Sequence, residues 1–169
     1  RCDVYNNDMY TTSITCWLDL EQTIIASWDD VFLINVGSIK EFLKDRGITE
    51  VGIFSFAIYN EADKEEFQKN VKPIIERALG VTVILWPSVR DMIRIDKQYT
   101  GDHFDSENEV HDYIQFRGKK DGFINYINAT CNFDTAILID DVVPDLTLSH
   151  RFDGWSIELW NVDSLGKRK

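Results

Sequence analysis

Residues 51–57, VGIFSFA, form a nearly unbroken apolar run of strand length. A strand with no polar face must be covered on both sides, as strands inside a parallel sheet are. Other stretches make the same demand. Residues 11–20 (TTSITCWLDL) are β-rich and close on an acid and a leucine, residues 81–86 and 135–140 are short apolar runs, and residues 155–162 alternate. Helical spacing fills the gaps. Gly37-Ser38 predicts a turn and N-cap for a helix carrying Ile39, Phe42 and Leu43 and closed by Gly47. Asn60 predicts the cap of a helix over residues 61–79. Its apolar face holds Phe67, Val71, Ile74, Ile75 and Leu79, Gly80 stops it, and Pro73 should kink or divide it. Residues 121–128 predict another helix. Residues 87–118 are less regular: Ser88 predicts one short helix, Ser106 with Glu109 forms a capping-box pattern, and residues 99–108 read as loop. Strands alternating with helices predict an α/β fold, a three-layer Rossmann-like domain around a central parallel sheet of about five strands.

No repeat, low-complexity tract or Pro/Gly-rich linker divides the 169 residues, which predicts one domain with residues 1–10 as an N-terminal extension. A chain of this length removes roughly 70% of its unfolded surface from water, so it needs no disulfide or metal to fold. Cys2, Cys16 and Cys131 are an odd number at scattered spacings, matching neither a disulfide framework nor a zinc site, which predicts a reducing compartment with Cys16 and Cys131 as small packed hydrophobes. No apolar run approaches the ~20 residues that span a bilayer, and no basic stretch followed by an apolar one marks the start, so the expected location is cytoplasmic. The Asn128-Ala129-Thr130 sequon then reads as a chance match. Lys plus Arg number 18 against 29 Asp plus Glu, a net charge of −11. That balance argues against broad contact with nucleic acid or anionic lipid and favours cationic partners or metal ions.

In an open α/β sheet, ligands bind at the carboxyl ends of the strands. Asp19 closes the first run, Ser55 lies in the second, and Asp140-Asp141 end the fourth. If the first and fourth strands are neighbours, Asp19, Glu21, Asp140 and Asp141 converge, and their mutual repulsion requires a cation or shared protons. An all-oxygen donor set suits Mg²⁺ better than zinc, which recruits Cys or His.

The order Asp19-Leu20-Glu21-Gln22-Thr23, then Ser55, then Lys119 or Lys120 at a helix start, then ILIDDVVPD, resembles the haloacid dehalogenase (HAD) superfamily of phosphohydrolases. That family's first motif is Asp-x-Asp-x-Thr, and the resemblance covers about residues 14–162. A receiver domain of two-component signalling uses similar residue types, but with the acid pair first and the Lys last. The HAD resemblance implies that Asp19 is the nucleophile, forming an aspartyl-phosphate. It further implies Mg²⁺ held by Asp19, the Glu21 backbone carbonyl and Asp140 or Asp141, with Asp145 acting through a water or a neighbouring ligand. Ser55 would donate to a phosphoryl oxygen, Lys119 or Lys120 would balance the acids and hold the phosphate, and Thr23 would orient the loop. The expected partner is a phosphorylated substrate, small or macromolecular.

Glu21 departs from the pattern, because family phosphatases normally carry Asp there to protonate the leaving oxygen and then activate water. Glutamate keeps the chemistry but moves the carboxyl by on the order of 1 Å, a shift that can cost about 10²-fold in rate. Two functions follow from the sequence: a Mg²⁺-dependent phosphatase, or a HAD-fold interaction module without turnover that holds a basic partner. Residues 24–37 leave room for a flap and residues 87–118 for a small lid, so the active edge is expected to be open, as in family members that act on phosphoproteins or polynucleotide ends. The acidity weighs against the polynucleotide version. Trp28 in the flap either stacks on a substrate ring or packs on the core. His103, Asp105, His111 and Asp112 read as a solvated surface rather than a metal site.

Overall fold

The computed structural model describes residues 2–3, 11–12, 14–96, 109–130, 134–150 and 154–167. Its main sheet has six strands: β1 (Cys16–Leu18), β2 (Glu50–Ile53), β3 (Thr82–Leu85), β4 (Thr135–Asp140), β5 (Leu146–His150) and β6 (Trp155–Asn161). Their spatial order is β3-β2-β1-β4-β6-β5. All neighbours run parallel except β5, which pairs antiparallel with β6. The sheet is therefore open and mostly parallel, a Rossmann-like α/β arrangement. It has six strands where five were expected, because LTLSH forms a short edge strand just after Pro144.

Two hydrophobic clusters divide the strand residues by alternation. Cys16 and Leu18 of β1 join Ile137 and Ile139 of β4 in the first cluster, while Trp17 joins Ala136 and Leu138 in the second. Helix α1 (Val36–Asp45), a π-helical turn at Phe67–Val71 and α3 (Lys72–Leu79) feed the first cluster. Helices α4 (Val89–Ile95), α5 (Glu109–Arg117) and α6 (Lys119–Thr130) feed the second. The second cluster constrains β2 closely. Gly52 is in register with Trp17, and a Cβ there would overlap the indole ring. Gly52→Ala is expected to destabilise the fold by about 2 kcal/mol or more, read by chemical denaturation.

Several sequence expectations shift in the folded chain. Thr11–Thr12 does not extend β1 but pairs with Cys2–Asp3 in a separate two-stranded ribbon. Helix α1 starts at Val36, ahead of the expected Gly37-Ser38 cap. Asn35, which tolerates the left-handed conformation it adopts at φ 56°, makes the turn and donates its side-chain amide to Thr23 O at 2.9 Å. Pro73 divides the predicted 61–79 helix: α2 (Glu61–Glu66) passes through the π-helical turn into α3, so the missing N–H of Pro73 falls at the start of α3. Asn60 caps α2 by accepting from Asp63 N, Gly80 ends α3 at φ 69°, and Ser88 with Asp91 forms a capping box on α4. Asp91 also meets Lys64 at 2.9 Å. Burial opposes the Asp91 charge, yet the Ser88 N–H and the Lys64 ammonium hold its carboxyl below the usual range. β4 spans the expected residues, while β6 ends at Asn161, where Val162 enters a short 3₁₀ turn.

Cys16 is a free, buried thiol whose pKa burial pushes up, in keeping with a packed small hydrophobe. Cys131 and the 99–108 loop lie outside the described residues, as do His103, Asp105 and Ser106. Among the described residues, no helix is long and apolar enough to cross a membrane.

Candidate functional site

The chain leaves β1 for β2 and β3 on one side, then returns to place β4 on the other side of β1. The carboxyl ends of β1 and β4 therefore flank the point where strand order reverses, the usual ligand crevice of an open α/β sheet. Asp19 follows β1 directly and Asp140 ends β4. The Asp19 N–H donates to Ile139 O at 3.0 Å, which ties the two strand ends together. On the other side, Phe54 N donates to Leu18 O at 2.9 Å and brings the chain beyond β2 alongside.

Around this point, carboxylate oxygens of Asp19, Asp140 and Asp141 lie within 4.8 Å of one another. A buried ammonium sits among them. Lys119 Nζ lies 2.7 Å from Asp19 Oδ1 and 2.8 Å from Asp140 Oδ2, with its side chain 8% exposed. The same ammonium stands 5.0 Å from the Phe56 ring centroid and 5.8 Å from that of Phe54. Thr23 Oγ1 donates to Asp19 Oδ2 at 3.1 Å and lies 3.5 Å from Asp141 Oδ1. The Val142 N–H donates to Asp140 Oδ1 at 2.8 Å.

The local fold explains why Lys119 takes this place and Lys120 does not. Gly118, at φ 79°, turns the chain from α5 into α6, which begins at Lys119, two residues before the predicted helix. Lys119 then precedes the buried Gly122 and Phe123 by three and four residues on one helix face, while Lys120 and Asp121 are exposed. Ser55 lies two residues beyond the end of β2. It is buried, and its Oγ accepts from Ala57 N at 3.1 Å; among the described residues, its hydroxyl proton has no acceptor. Glu21 points into the flap: its Oε2 accepts from Trp28 N at 2.7 Å. Asp145 is exposed and stands apart from the three clustered acids, its Oδ1 accepting from Asn161 N at 2.8 Å.

Burial and like charge shape the titration of this cluster. Burial pushes the Asp19 carboxyl well above the usual carboxylate range, with Lys119 opposing the shift and the Asp140 charge adding to it. The Asp141 carboxyl is also raised, first by burial and then by the charge on Asp140. Burial works against the Lys119 charge, but Asp19 and Asp140 outweigh it and hold its pKa up. Three carboxylates less one ammonium leave two formal negative charges, the balance that one divalent cation would neutralise. All the side-chain donors are oxygens, which fits a hard ion such as Mg²⁺.

A scan against protein-family models finds no match, and comparison with curated proteins and with solved structures finds none either.

Three further groups shape the site that sequence reasoning passed over. Asn161, in register with Asp140 on the adjoining strand, donates its side-chain amide to Asp141 O and Val143 O and so fixes the loop after β4. Phe54 and Phe56 carry the faces over which Lys119 lies. The Trp28 backbone N–H meets Glu21, a contact no side-chain pattern announces. The Trp28 side chain packs against the first hydrophobic cluster. His111 is exposed on α5 with its ring edge-on to Tyr59, and Asp112 is half-buried nearby in sequence. A cavity of about 350 Å³ opens beside the amino ends of β1, β2 and β4, lined by Thr15, Arg46, Glu50, Thr135 and Glu158, and includes none of the clustered acids.

Proposed function

We propose that this chain is a Mg²⁺-dependent phosphatase of HAD type, a three-layer α/β hydrolase that cleaves a phosphomonoester through an aspartyl-phosphate on Asp19. The observation that carries the proposal is the buried Lys119 ammonium spanning Asp19 and Asp140 at the reversal of strand order, with Asp141 and Thr23 alongside. Asp19, Asp140, Asp141 and the Glu21 backbone carbonyl would hold the ion, with Asp145 reaching it through water. Bound Mg²⁺ would offset the charge of the phosphoryl oxygens as the bond to phosphorus forms.

Asp19 attacks phosphorus as the bond to the leaving oxygen breaks, and Glu21 gives that oxygen a proton. Lys119 balances the clustered acids and attracts the phosphoryl group, while the Ser55 hydroxyl proton is available to one of its oxygens. Glu21 then removes a proton from water, which attacks the phosphorus and releases inorganic phosphate with Asp19 restored. Thr23 orients the Asp19 carboxylate throughout. Substrates are phosphorylated small molecules or macromolecules; the net charge of −11 disfavours polynucleotides, and a cytoplasmic setting suits the composition.

One feature favours the alternative of an interaction module without turnover for a basic partner: Glu stands at position 21 where family phosphatases carry Asp. An aryl phosphate assay on the native protein and Glu21→Asp, with Mg²⁺ and with a chelator, separates the two. The phosphatase is expected to turn over only with Mg²⁺, and its melting temperature should rise with the ion. An inactive native protein whose Glu21→Asp variant gains turnover supports the module. Absence of any Mg²⁺-dependent thermal shift overturns the metal site in both.

A further inference from the structure

We infer that the flap backbone positions Glu21, with the Trp28 N–H as the group that sets its carboxylate for proton transfer. This role rests on the phosphatase proposal and explains why Glu stands where Asp is expected.

The loop that carries Glu21 is tightly wound. Gln22 adopts φ 62°, and the N–H groups of Thr23, Ile24 and Ile25 all converge on Leu20 O at 3.0–3.1 Å. Beyond it the chain doubles back, with Ala26 N donating to Phe32 O, Ile34 N to Ile24 O, and a turn closed between Ser27 and Asp30. Ile24 and Ile25 are fully buried, and Trp28, Val31 and Leu33 pack against the first hydrophobic cluster. The Trp28 N–H is therefore presented from the turn of this hairpin, between Ser27 and Asp30. It reaches Glu21 Oε2 at 2.7 Å across seven residues of sequence.

A charge-assisted hydrogen bond of that length restricts a side chain with three rotatable bonds. Oε1 has no partner among the described residues, so one carboxylate oxygen is anchored while the other remains available for a proton. Aspartate is one methylene shorter and cannot span the same gap from the same backbone. The extra length of Glu21 is thus matched to the flap rather than a defect in the motif. Trp28 is a positioning residue, acting through its main chain.

Two measurements test this. Backbone amide exchange at Trp28 is expected to be slow in the native protein and in Glu21→Gln, which keeps an acceptor oxygen, and fast in Glu21→Ala; unchanged exchange in Glu21→Ala overturns the contact. The second compares kcat/KM for an alkyl phosphate, whose poor leaving group needs a proton, with that for 4-nitrophenyl phosphate, whose leaving group does not. Trp28→Pro removes the N–H and is expected to lower the alkyl value roughly 10²-fold while moving the aryl value only a few-fold. Trp28→Phe keeps the N–H and should retain the native alkyl-to-aryl ratio. Equal losses on both substrates in Trp28→Pro overturn the positioning role and leave the phosphatase proposal standing. No turnover of either substrate by the native protein overturns that proposal and this role with it.

Discussion

Asp19→Asn is expected to reduce phosphomonoester turnover by more than about 10³-fold without unfolding the protein. The amide is isosteric with the carboxyl but is a poor nucleophile, and loss of a nucleophile removes the covalent route rather than weakening it. The fold should tolerate the change. Asp19 lies in a crowded cluster where burial and the neighbouring Asp140 already disfavour its charge, so a neutral amide relieves repulsion even as it weakens the contact to Lys119. Steady-state kinetics paired with thermal denaturation make the distinction. A large kinetic loss with a melting temperature close to native supports the nucleophile, whereas retained turnover removes Asp19 from that role.

Lys119→Met carries the largest expected effect on stability, about 3 kcal/mol near neutral pH. Lys119 and Asp19 each have a side chain only 8% exposed and Asp140 has none exposed, so deleting the ammonium leaves acids in a dry site without their cation. Lys120→Met, at an exposed position, should stay within about 0.5 kcal/mol of native. The pH dependence has a definite sign. Because Asp19 and Asp140 raise the folded pKa of Lys119, its contribution is whole below the unfolded value of about 10.4 and fades as pH rises through the higher folded value. The gap between native and Lys119→Met should therefore narrow at strongly alkaline pH. It should also narrow in saturating Mg²⁺, which would supply the missing positive charge. Denaturation curves that leave Lys119→Met as stable as native would show that the ammonium does not hold the cluster together.

Much of this site follows from where apolar runs stop. The fourth run ends on Asp140, and the strand it forms ends on that same residue, because a continuous apolar stretch bounded by acids has only one comfortable length in a buried sheet. The side-by-side placement of Asp19 and Asp140 follows from β1 and β4 being neighbours, which alternation of strands and helices leaves open and the strand order of the folded sheet supplies. Helical spacing alone does not choose Lys119 over Lys120, since both lie within a turn of Phe123; the burial of Gly122 on the face of Lys119 separates them only in the folded chain. β5 was harder to read. Its LTLSH is a brief alternation on a sheet edge, half-exposed and close behind Pro144, and too short to outweigh the surrounding turn residues. The Glu21 contact and the early start of α1 depend on left-handed backbone at Gln22 and Asn35. Neither residue type requires that conformation, so only the folded loop reveals it.

The most direct measurement is chemical. Native protein and Glu21→Gln, mixed with a phosphomonoester and Mg²⁺, would be quenched in acid during turnover and digested for mass spectrometry of the peptide containing Asp19. The predicted result is a phosphoryl group on Asp19, more abundant in Glu21→Gln, where water is no longer activated, and missing when Mg²⁺ is chelated. Phosphomonoester turnover with Asp19 unmodified in both proteins would contradict the proposed chemistry.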